Sequence, residues 1–147
     1  MPQDDLAKLQ RYFNEIPVSR LLGVRCEALL PGESRASMTA DPALRNPNGA
    51  VPGVTLSSFA DLVGGMAVAT VSRPDEYFAT LQLSLQFARP AFGATLIGRS
   101  NVLRRASRHT FVRIDILDAE ERLCVAASGT WVMFPDSAHA LRDGADA

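Results

Sequence analysis

A single acid, Asp61, stands in the almost wholly apolar stretch 54–71. Val, Leu, Phe, Ala, Met and small residues occur on every side of a helix drawn through this stretch, so the pattern predicts a helix that is buried all round. A carboxylate on such a helix must find hydrogen-bond donors or take part in chemistry. Asp61 is therefore a candidate general base or nucleophile, and a structural acid that pairs with an arginine or caps a turn is the alternative.

Polar residues near Asp61 are further candidates. The loop 46–53 combines asparagine, proline and glycine, which form turns and precede helices, and it predicts a helix start near Gly53. Asn46 could orient a water molecule or merely form the turn. Thr80 could face the same groove or be an ordinary strand threonine. Ser57 could help to orient a substrate, but it is not a triad serine because it does not lie in a nucleophile elbow.

The composition limits the classes of function. At 147 residues the chain is long enough for one domain, which we expect to span 1–147 with its core over about 15–134. With 15 basic and 16 acidic residues the net charge is -1, so nothing favours nucleic acid or an anionic membrane as a partner. Hydrophobic residues make up 47% and charged residues only 21%, which indicates that part of the surface is buried between subunits.

Cysteine and histidine indicate neither a disulfide nor a metal site. Cys26 and Cys124 are isolated in strand-like apolar runs and are expected to be reduced core thiols. His109 and His139 are most simply a strand-edge histidine and a tail histidine, and neither suggests a metal. The N-terminus lacks a basic region followed by an apolar run, and no segment has the length of a membrane span without charges or turns. We therefore expect a cytoplasmic protein.

The elements around the apolar helix follow from hydrophobic periodicity. Helical spacing predicts a short amphipathic helix over 4–16, ended by Pro17, and the alternation from Leu81 to Phe87 predicts a strand. Further strands are predicted at 21–30, 33–40, 94–103, 110–117 and 123–134, with fraying from 135 onward. This order of helix, two strands, buried helix and four strands predicts an α+β fold, in which an antiparallel sheet of five to six strands curls about the helix.

This order of elements resembles the hotdog fold, and the segment 46–61, NPNGAVPGVTLSSFAD, resembles the signature of the phenylacetyl-CoA thioesterase-like branch of that superfamily. The family pattern has asparagine and glycine, then His-Gly-Gly at the helix start, then an acid eight residues beyond the first of those glycines. Asn46, Gly49, Gly53 and Asp61 match this pattern. The segment 80–90, TLQLSLQFARP, is similar to the family's threonine, alternating strand and closing Arg-Pro.

The resemblance implies an acyl-CoA thioesterase with no cofactor beyond the coenzyme A thioester that is its substrate. The backbone N–H at Gly53 would polarise the thioester carbonyl, and Asp61 would attack it or activate water, with Asn46 as a third catalytic candidate. Candidate substrate-binding residues are Pro52, Val54, Ser57, Phe59, Leu62 and Thr80. Guanidinium groups could pair with the nucleotide phosphates at the groove mouth, and the candidates are Arg89, Arg104, Arg105 and Arg108.

Two positions depart from the family pattern. Pro52 stands where the family usually has histidine, and Val54 stands where it usually has the second glycine. Proline suits the start of a helix, so the fold assignment is unaffected. The side-chain donor is lost, however, and valine adds bulk where an acyl group would lie. Deletion of that donor favours an alternative, a hotdog protein that binds acyl-CoA without turnover, whereas retention of Asp61 favours the enzyme.

The spacing of the two main candidates bears on assembly. Gly53 and Asp61 are eight residues apart, about 12 Å along one helix, which is too far for both to touch one thioester. If both act on one carbonyl, they must come from different subunits. A homodimer with its site at the interface is therefore expected, and the family often pairs such dimers into tetramers.

Overall fold

The protein is described over residues 1–135 by a computed structural model. The predicted frayed tail lies, beyond Pro135, outside the described residues, as does His139. Ten elements follow one another along the chain: α1 Gln3–Glu15, α2 Pro17–Leu22, β1 Val24–Leu30, β2 Glu33–Met38, a 3-10 turn Pro42–Leu44, α3 Gly53–Val71, β3 Glu76–Phe87, β4 Leu96–Arg105, β5 His109–Leu117 and β6 Leu123–Pro135.

The six strands form one antiparallel sheet in the order β1-β2-β4-β5-β6-β3. The sheet curls about α3, in which every residue from 63 to 70 is buried. The α+β hotdog architecture predicted from the sequence is thereby confirmed. By length and composition α3 could also cross a membrane, but 67% of its most apolar window is buried, as in the core helix of a globular fold.

Two predicted boundaries are wrong. Residues 17–22 form a second helix rather than the start of a strand, because Pro17 fits the first helical turn and Gly23, at φ 66°, ends the helix in the left-handed region. The strand β1 begins only at Val24. The strand β3 begins at Glu76 rather than near Thr80, because its pairing with β6 continues to Pro135.

Close approach between α3 and the sheet depends on glycines. A Cβ on Gly64 would lie 2.3 Å from the ring of Trp131, and one on Gly129 would lie 2.5 Å from the same ring. A Cβ on Gly98 would lie 2.6 Å from Val63 of α3. Glycine lowers helix propensity, and at Gly64 it is required because the ring of Trp131 packs directly against the helix.

Two buried serines fix the position of α3 along the strands of the sheet. The Ser34 and Ser100 hydroxyls, on neighbouring strands, donate to the carbonyl oxygen of Val63 at 2.8 and 2.9 Å. These bonds satisfy hydroxyls that would otherwise be costly to bury. Because Val63 follows Asp61 by two residues, they also set the position of the acid relative to the strands.

The two helical glycines give a matched test of this packing. We expect Gly64→Ala to destabilise the fold by about 1–3 kcal/mol, because its Cβ overlaps Trp131. Gly65→Ala should be neutral or stabilising by up to about 1 kcal/mol, since its nearest neighbour, Phe78, would be 3.7 Å away. Urea denaturation measures both. Equal stability of Gly64→Ala and the wild type would contradict the packing argument.

Candidate active site

The first turns of α3 carry an open stripe, defined as Gly53, Val54, Ser57, Ser58, Asp61 and Leu62. Val54 is 74% exposed, Gly53 is exposed, and the other four are partly exposed. The prediction of a helix buried all round is therefore wrong for this half of α3. The curled sheet covers Phe59 and Ala60 but leaves the opposite face of these turns uncovered by residues 1–135. Asp61 consequently lies at a partly exposed surface of the helix rather than in the core.

Asp61 accepts a hydrogen bond from Thr80 on β3. The Thr80 hydroxyl lies 2.7 Å from Oδ1 of the carboxylate. A hydroxyl bonded to a carboxylate makes a short, charge-assisted contact that restricts the rotation of the acid. One oxygen of Asp61 is thus held by the strand, while Oδ2 has no hydrogen-bond partner among the described residues. The sequence offered Asp61 and Thr80 as two separate candidates, and in the structure their side chains are bonded to each other.

A β-bulge at Leu81 gives Thr80 its orientation. The pairing of β3 with β6 runs from Thr80 opposite Trp131 to Gln82 opposite Thr130, so Leu81 is an extra residue. Before the bulge, even-numbered side chains face α3, and after it the odd-numbered ones do. The predicted single face from Leu81 to Phe87 is therefore wrong at its first member, because Leu81 is 59% exposed and outside the core.

The loop before α3 is held by Arg45, a residue that sequence reasoning missed. Its guanidinium donates to the carbonyl oxygens of Ala40 at 3.2 Å, Gly49 at 3.1 Å and Gly93 at 2.7 Å. One side chain therefore ties three separate segments of the chain together below the helix start. An arginine in a polar loop is most simply interpreted as a solvated charge, so the sequence carried no signal for this role.

Asn46 acts in this loop through its backbone. Its N–H donates to Ala50 O at 2.9 Å and its carbonyl accepts from Gly49 N–H at 2.8 Å. Val51 N–H donates to Ala91 O at 2.9 Å, which ties the loop to the segment after β3. The turn-forming alternative for Asn46 is thus supported, while its exposed side chain leaves the water-orienting role a prediction.

The helix begins at Gly53 as predicted. The first main-chain bond of its ladder runs from Leu56 N–H to Pro52 O at 3.0 Å, so the N–H groups of residues 53–55 precede the ladder. A Cβ on Gly53 would lie 3.3 Å from the ring of Phe87 at the end of β3. The N-terminus of α3 is therefore a positive dipole end, with free donors beside an aromatic ring.

Comparison with known proteins agrees with this geometry. The model of the thioesterase superfamily matches residues 48–125, which is just over half of the 147 residues. This chain belongs to the thioesterase superfamily. It is accordingly a thioester hydrolase, and the matched segment contains the loop from residue 48 onward, the whole of α3 and Thr80.

Solved structures of other thioesterases share its fold. A thioesterase family protein from Silicibacter pomeroyi is 25% identical with a TM-score of 0.83, over 88% of this chain and 98% of that one. A presumed thioesterase related to phenylacetic acid degradation, from Ralstonia eutropha, is 28% identical with a TM-score of 0.78, over 86% and 98%. A hypothetical thioesterase from Streptococcus pneumoniae, solved with coenzyme A, is 17% identical with a TM-score of 0.75, over 86% and 97%.

The other predicted substrate-binding residues of this thioesterase occupy different environments. Pro52, Val54 and Leu62 lie on or beside the open stripe. Phe59 does not, because its side chain is 0% exposed and packs in the core against Gly98. The prediction that Phe59 lines the groove is therefore wrong, because the side chain points to the sheet side of α3.

The early serines of α3 are engaged within the helix. The Ser57 hydroxyl donates to Gly53 O at 2.7 Å, and the Ser58 hydroxyl donates to Val54 O at 3.0 Å. Such bonds to the carbonyl four residues earlier use the proton of each hydroxyl. Ser57 can then offer a substrate only its acceptor lone pairs in this arrangement.

The four predicted CoA-binding arginines do not form one cluster. Arg89 follows β3 at the helix-start end of the sheet, whereas Arg104, Arg105 and Arg108 lie on the β4–β5 hairpin at the other end. Arg105 is not available, because its guanidinium donates to both carboxylate oxygens of Glu76 at 2.7 and 2.8 Å. The prediction that Arg105 binds phosphate is therefore wrong, and the residue has a structural role.

The ion pair between Glu76 and Arg105 anchors the start of β3. Burial alone would raise the pKa of the Glu76 carboxyl, but the N–H of Arg73 and the guanidinium of Arg105 hold that pKa below its usual value. The pair thus remains ionised and fixes the strand that carries Thr80. Arg104 and Arg108 are exposed and can still meet a phosphate.

Cysteine chemistry does not contribute to the site. Burial, with the charge of Glu27 as a smaller cause, raises the pKa of the Cys26 thiol to about 12. Burial likewise raises the pKa of Cys124. Within residues 1–135, no three side chains of histidine, cysteine, aspartate or glutamate come together as a metal site would require. Asp61 therefore remains the main candidate nucleophile or base.

The Thr80 hydroxyl can be tested as a positioning group. We expect Thr80→Val to lower kcat by about tenfold, equivalent to about 1.4 kcal/mol, with little change in KM, because Asp61 loses the donor that orients it. Thr80→Ser keeps the donor and should stay within about threefold of the wild type. Steady-state thioester hydrolysis measures both. Equal kcat values for the valine variant and the wild type would exclude Thr80 from positioning the acid.

Proposed function

We propose that this thioesterase hydrolyses acyl-CoA at a site shared between two subunits, with Asp61 from one and the Gly53 N–H from the other. The observation that carries this proposal is that both residues lie on one unbroken helix, Gly53–Val71. Their separation of eight residues corresponds to about 12 Å, so a single copy of α3 cannot place both at one carbonyl. A second copy of the helix supplies the missing partner.

The exposed edge of the sheet offers the surface for that second copy. The edge at β1 is covered by α1, whose Gln10 and Asn14 amides bond to the main chain of Cys26 and Glu27. The edge at β3 has no such cover among residues 1–135, although this strand is twelve residues long. An open, long edge with exposed apolar side chains favours pairing with another strand.

The contacts of β3 fix where a two-fold axis would have to lie. Phe87 packs at Gly53 and Thr80 bonds to Asp61, so the strand runs antiparallel to the helix between these contacts. An axis near Ser84, midway between the two contacts, would set the Thr80 end of one strand beside the Phe87 end of its copy. The Asp61 of one subunit would then face the Gly53 of the other, which is the arrangement the chemistry needs.

The proposed reaction uses the groups already described. The thioester carbonyl oxygen accepts a hydrogen bond from the Gly53 N–H, and the helix dipole stabilises the charge that develops on this oxygen. Asp61, held at Oδ1 by Thr80, either removes a proton from water or attacks the carbonyl carbon with Oδ2. In the first case the water oxygen adds to the carbonyl carbon as Asp61 takes the proton; in the second Asp61 adds and forms an anhydride, which water then hydrolyses to free Asp61 and the carboxylic acid. In both cases the C–S bond breaks, and the CoA thiolate leaves and takes up a proton. No metal or further cofactor is required.

Acyl-CoA is the substrate class that the surroundings favour. The structure from Streptococcus pneumoniae was solved with coenzyme A, and the protein from Ralstonia eutropha is related to phenylacetic acid degradation. In this chain, Arg89, Arg104 and Arg108 are exposed and can pair with nucleotide phosphates. Val54 and Leu62 offer apolar surface beside Asp61, which suits an aromatic or medium-chain acyl group. A cytoplasmic location and assembly of dimers into tetramers complete the proposal.

The role of Asp61 has a direct test. We expect Asp61→Asn to keep the assembly and lower turnover by at least about tenfold, or about 1.4 kcal/mol, because an amide can neither accept the proton nor attack. Release of free thiol from benzoyl-, butyryl- and decanoyl-CoA measures the effect. Asp75→Asn, which changes an exposed acid in the turn after α3, is the matched control.

Two outcomes would decide against this mechanism. Full activity in Asp61→Asn would remove the acid from the reaction. No release by the wild type from any substrate, together with a CoA-induced rise in Tm, would favour the binding protein that acts without turnover, since a ligand of the native state stabilises it.

The proposed subunit contact is open to cross-linking. Ser84→Cys should join two chains through a short bis-maleimide, because Ser84 would lie at the two-fold axis of the paired strands. Ser128→Cys is the matched control: Ser128 is opposite Ser84 on β6 and also exposed, but lies one strand further from the axis. Denaturing electrophoresis should show dimers for Ser84→Cys only. Equal cross-linking of both variants, or of neither, would refute pairing at this edge.

A further inference from the structure

The loop before α3 sets the position of the helix start. Within the loop, Asn46 bonds through its main chain to Gly49 and Ala50, and these bonds fix the shape of the loop. The bond from Val51 N–H to Ala91 O joins its main chain to the segment after β3 at one point. A single such bond leaves the loop free to pivot, so the position of the helix start depends on what else holds it.

The Arg45 side chain supplies further attachments. Each of its three guanidinium nitrogens donates to a different carbonyl: Nε to Ala40 after β2, Nη1 to Gly49 in the loop, and Nη2 to Gly93 after β3. Gly49 and Gly93 have φ values of 84° and 101°, in the left-handed region that favours glycine. This guanidinium and its three acceptors form the Arg45 clamp.

The clamp requires an arginine rather than a positive charge alone. Among residues 1–135, no carboxylate forms an ion pair with Arg45, so its bonds to carbonyl oxygens are what hold it in place. A guanidinium spreads its donors over three nitrogens in one plane, whereas an ammonium presents all its donors from one atom on a flexible stem. Lysine would keep the charge but could not hold the same three oxygens.

The clamp bears on the reaction through Gly53. Pro52, with its φ locked at -71°, links the loop to Gly53, so a shift of the loop moves the first N–H of the helix. An oxyanion donor must lie about 2.7–3.1 Å from the oxygen it stabilises, and an error of about 1 Å can cost about a hundredfold in rate. The side chain at position 52 offers no donor that could compensate for a displaced backbone N–H.

We infer that Arg45 is a positioning residue for thioester hydrolysis, which aligns the Gly53 N–H with the substrate carbonyl by holding the loop before α3. The inference rests on the role of Gly53 in the proposed function and adds to it a side chain that acts through the loop. Because Arg45 does not touch the substrate, its loss lowers kcat and leaves KM unchanged.

Arg45→Lys tests the clamp because it keeps the charge. We expect kcat to fall at least about tenfold, with KM within about twofold of the wild type. Arg35→Lys is the matched control, since Arg35 is also half-buried and bonded to Glu27 on the sheet, and its kcat should stay within about twofold. Guanidinium chloride far below denaturing concentrations should raise the kcat of Arg45→Ala, and equal sodium chloride should not. Wild-type kcat in Arg45→Lys would overturn the proposal.

Two substrates separate positioning from phosphate binding. An acyl-CoA and the matching acyl N-acetylcysteamine thioester present the same carbonyl, but only the first carries nucleotide phosphates. Positioning predicts the same fold loss of kcat for both. A loss confined to acyl-CoA and expressed in KM would overturn the proposal. Hydrolysis of only the truncated thioester, with a kcat that depends on Arg45, would refute acyl-CoA hydrolysis and support the clamp.

Hydrogen exchange gives a readout without turnover. In Arg45→Lys, the amides of Gly49 and Val51 should exchange about fivefold faster or more, because the bonds they make open with the loop. Amides of β5 should keep their wild-type rates. Faster exchange of the loop with an unchanged kcat would overturn the positioning role. Faster exchange over the whole sheet would reveal a folding defect and would overturn it as well.

Mixed dimers assign the effect to one subunit. If Gly53 and Asp61 of different subunits form each site, a dimer of one Arg45→Lys chain and one Asp61→Asn chain retains one intact site. Equal co-expression should then restore about a quarter of the wild-type rate, because half of the dimers are mixed and each has one working site of two. Without this restoration, a kcat loss and loop exchange that still depend on Arg45 would support the clamp and refute the shared site.

Discussion

Burial of one helix inside one curled sheet is the constraint on which the rest of the structure depends. Six strands can approach α3 closely only where side chains are absent, so glycine stands opposite Trp131 at positions 64 and 129. The Ser34 and Ser100 hydroxyls then fix the helix by its Val63 carbonyl. Because the sheet does not close over the first turns of α3, the acid on that face stays partly exposed, and the candidate site is a consequence of this incomplete wrapping.

The sequence predicted those features that depend on pattern. A stretch with apolar residues on all sides could only be a core element, and alternating strands joined by short turns could only form an antiparallel sheet around it. The helix start at Gly53 followed from turn residues, and Asp61 stood out as an acid in apolar surroundings. Where local patterns and the global fold agree, little information beyond the sequence is needed.

The sequence did not predict features that depend on long-range geometry. The bulge at Leu81 leaves no trace in a perfect alternation, yet it decides that Thr80 rather than Leu81 faces the helix. Arg45 and Arg105 resemble solvated charges in sequence, and only the fold brings carbonyls or Glu76 within their reach. Phe59 was assigned to the groove because a helix that is apolar all round does not reveal which side the sheet covers.

Proline at position 52 changes how this site must work. Its backbone is extended, with φ -71° and ψ 157°, and its side chain donates no hydrogen bond, so only the backbone N–H groups and the dipole of this helix end are available to polarise a carbonyl. A lost oxyanion donor typically costs about a hundredfold or more in kcat. A site with fewer donors gains most from binding energy away from the reacting carbon, since remote contacts can offset the cost of orientation.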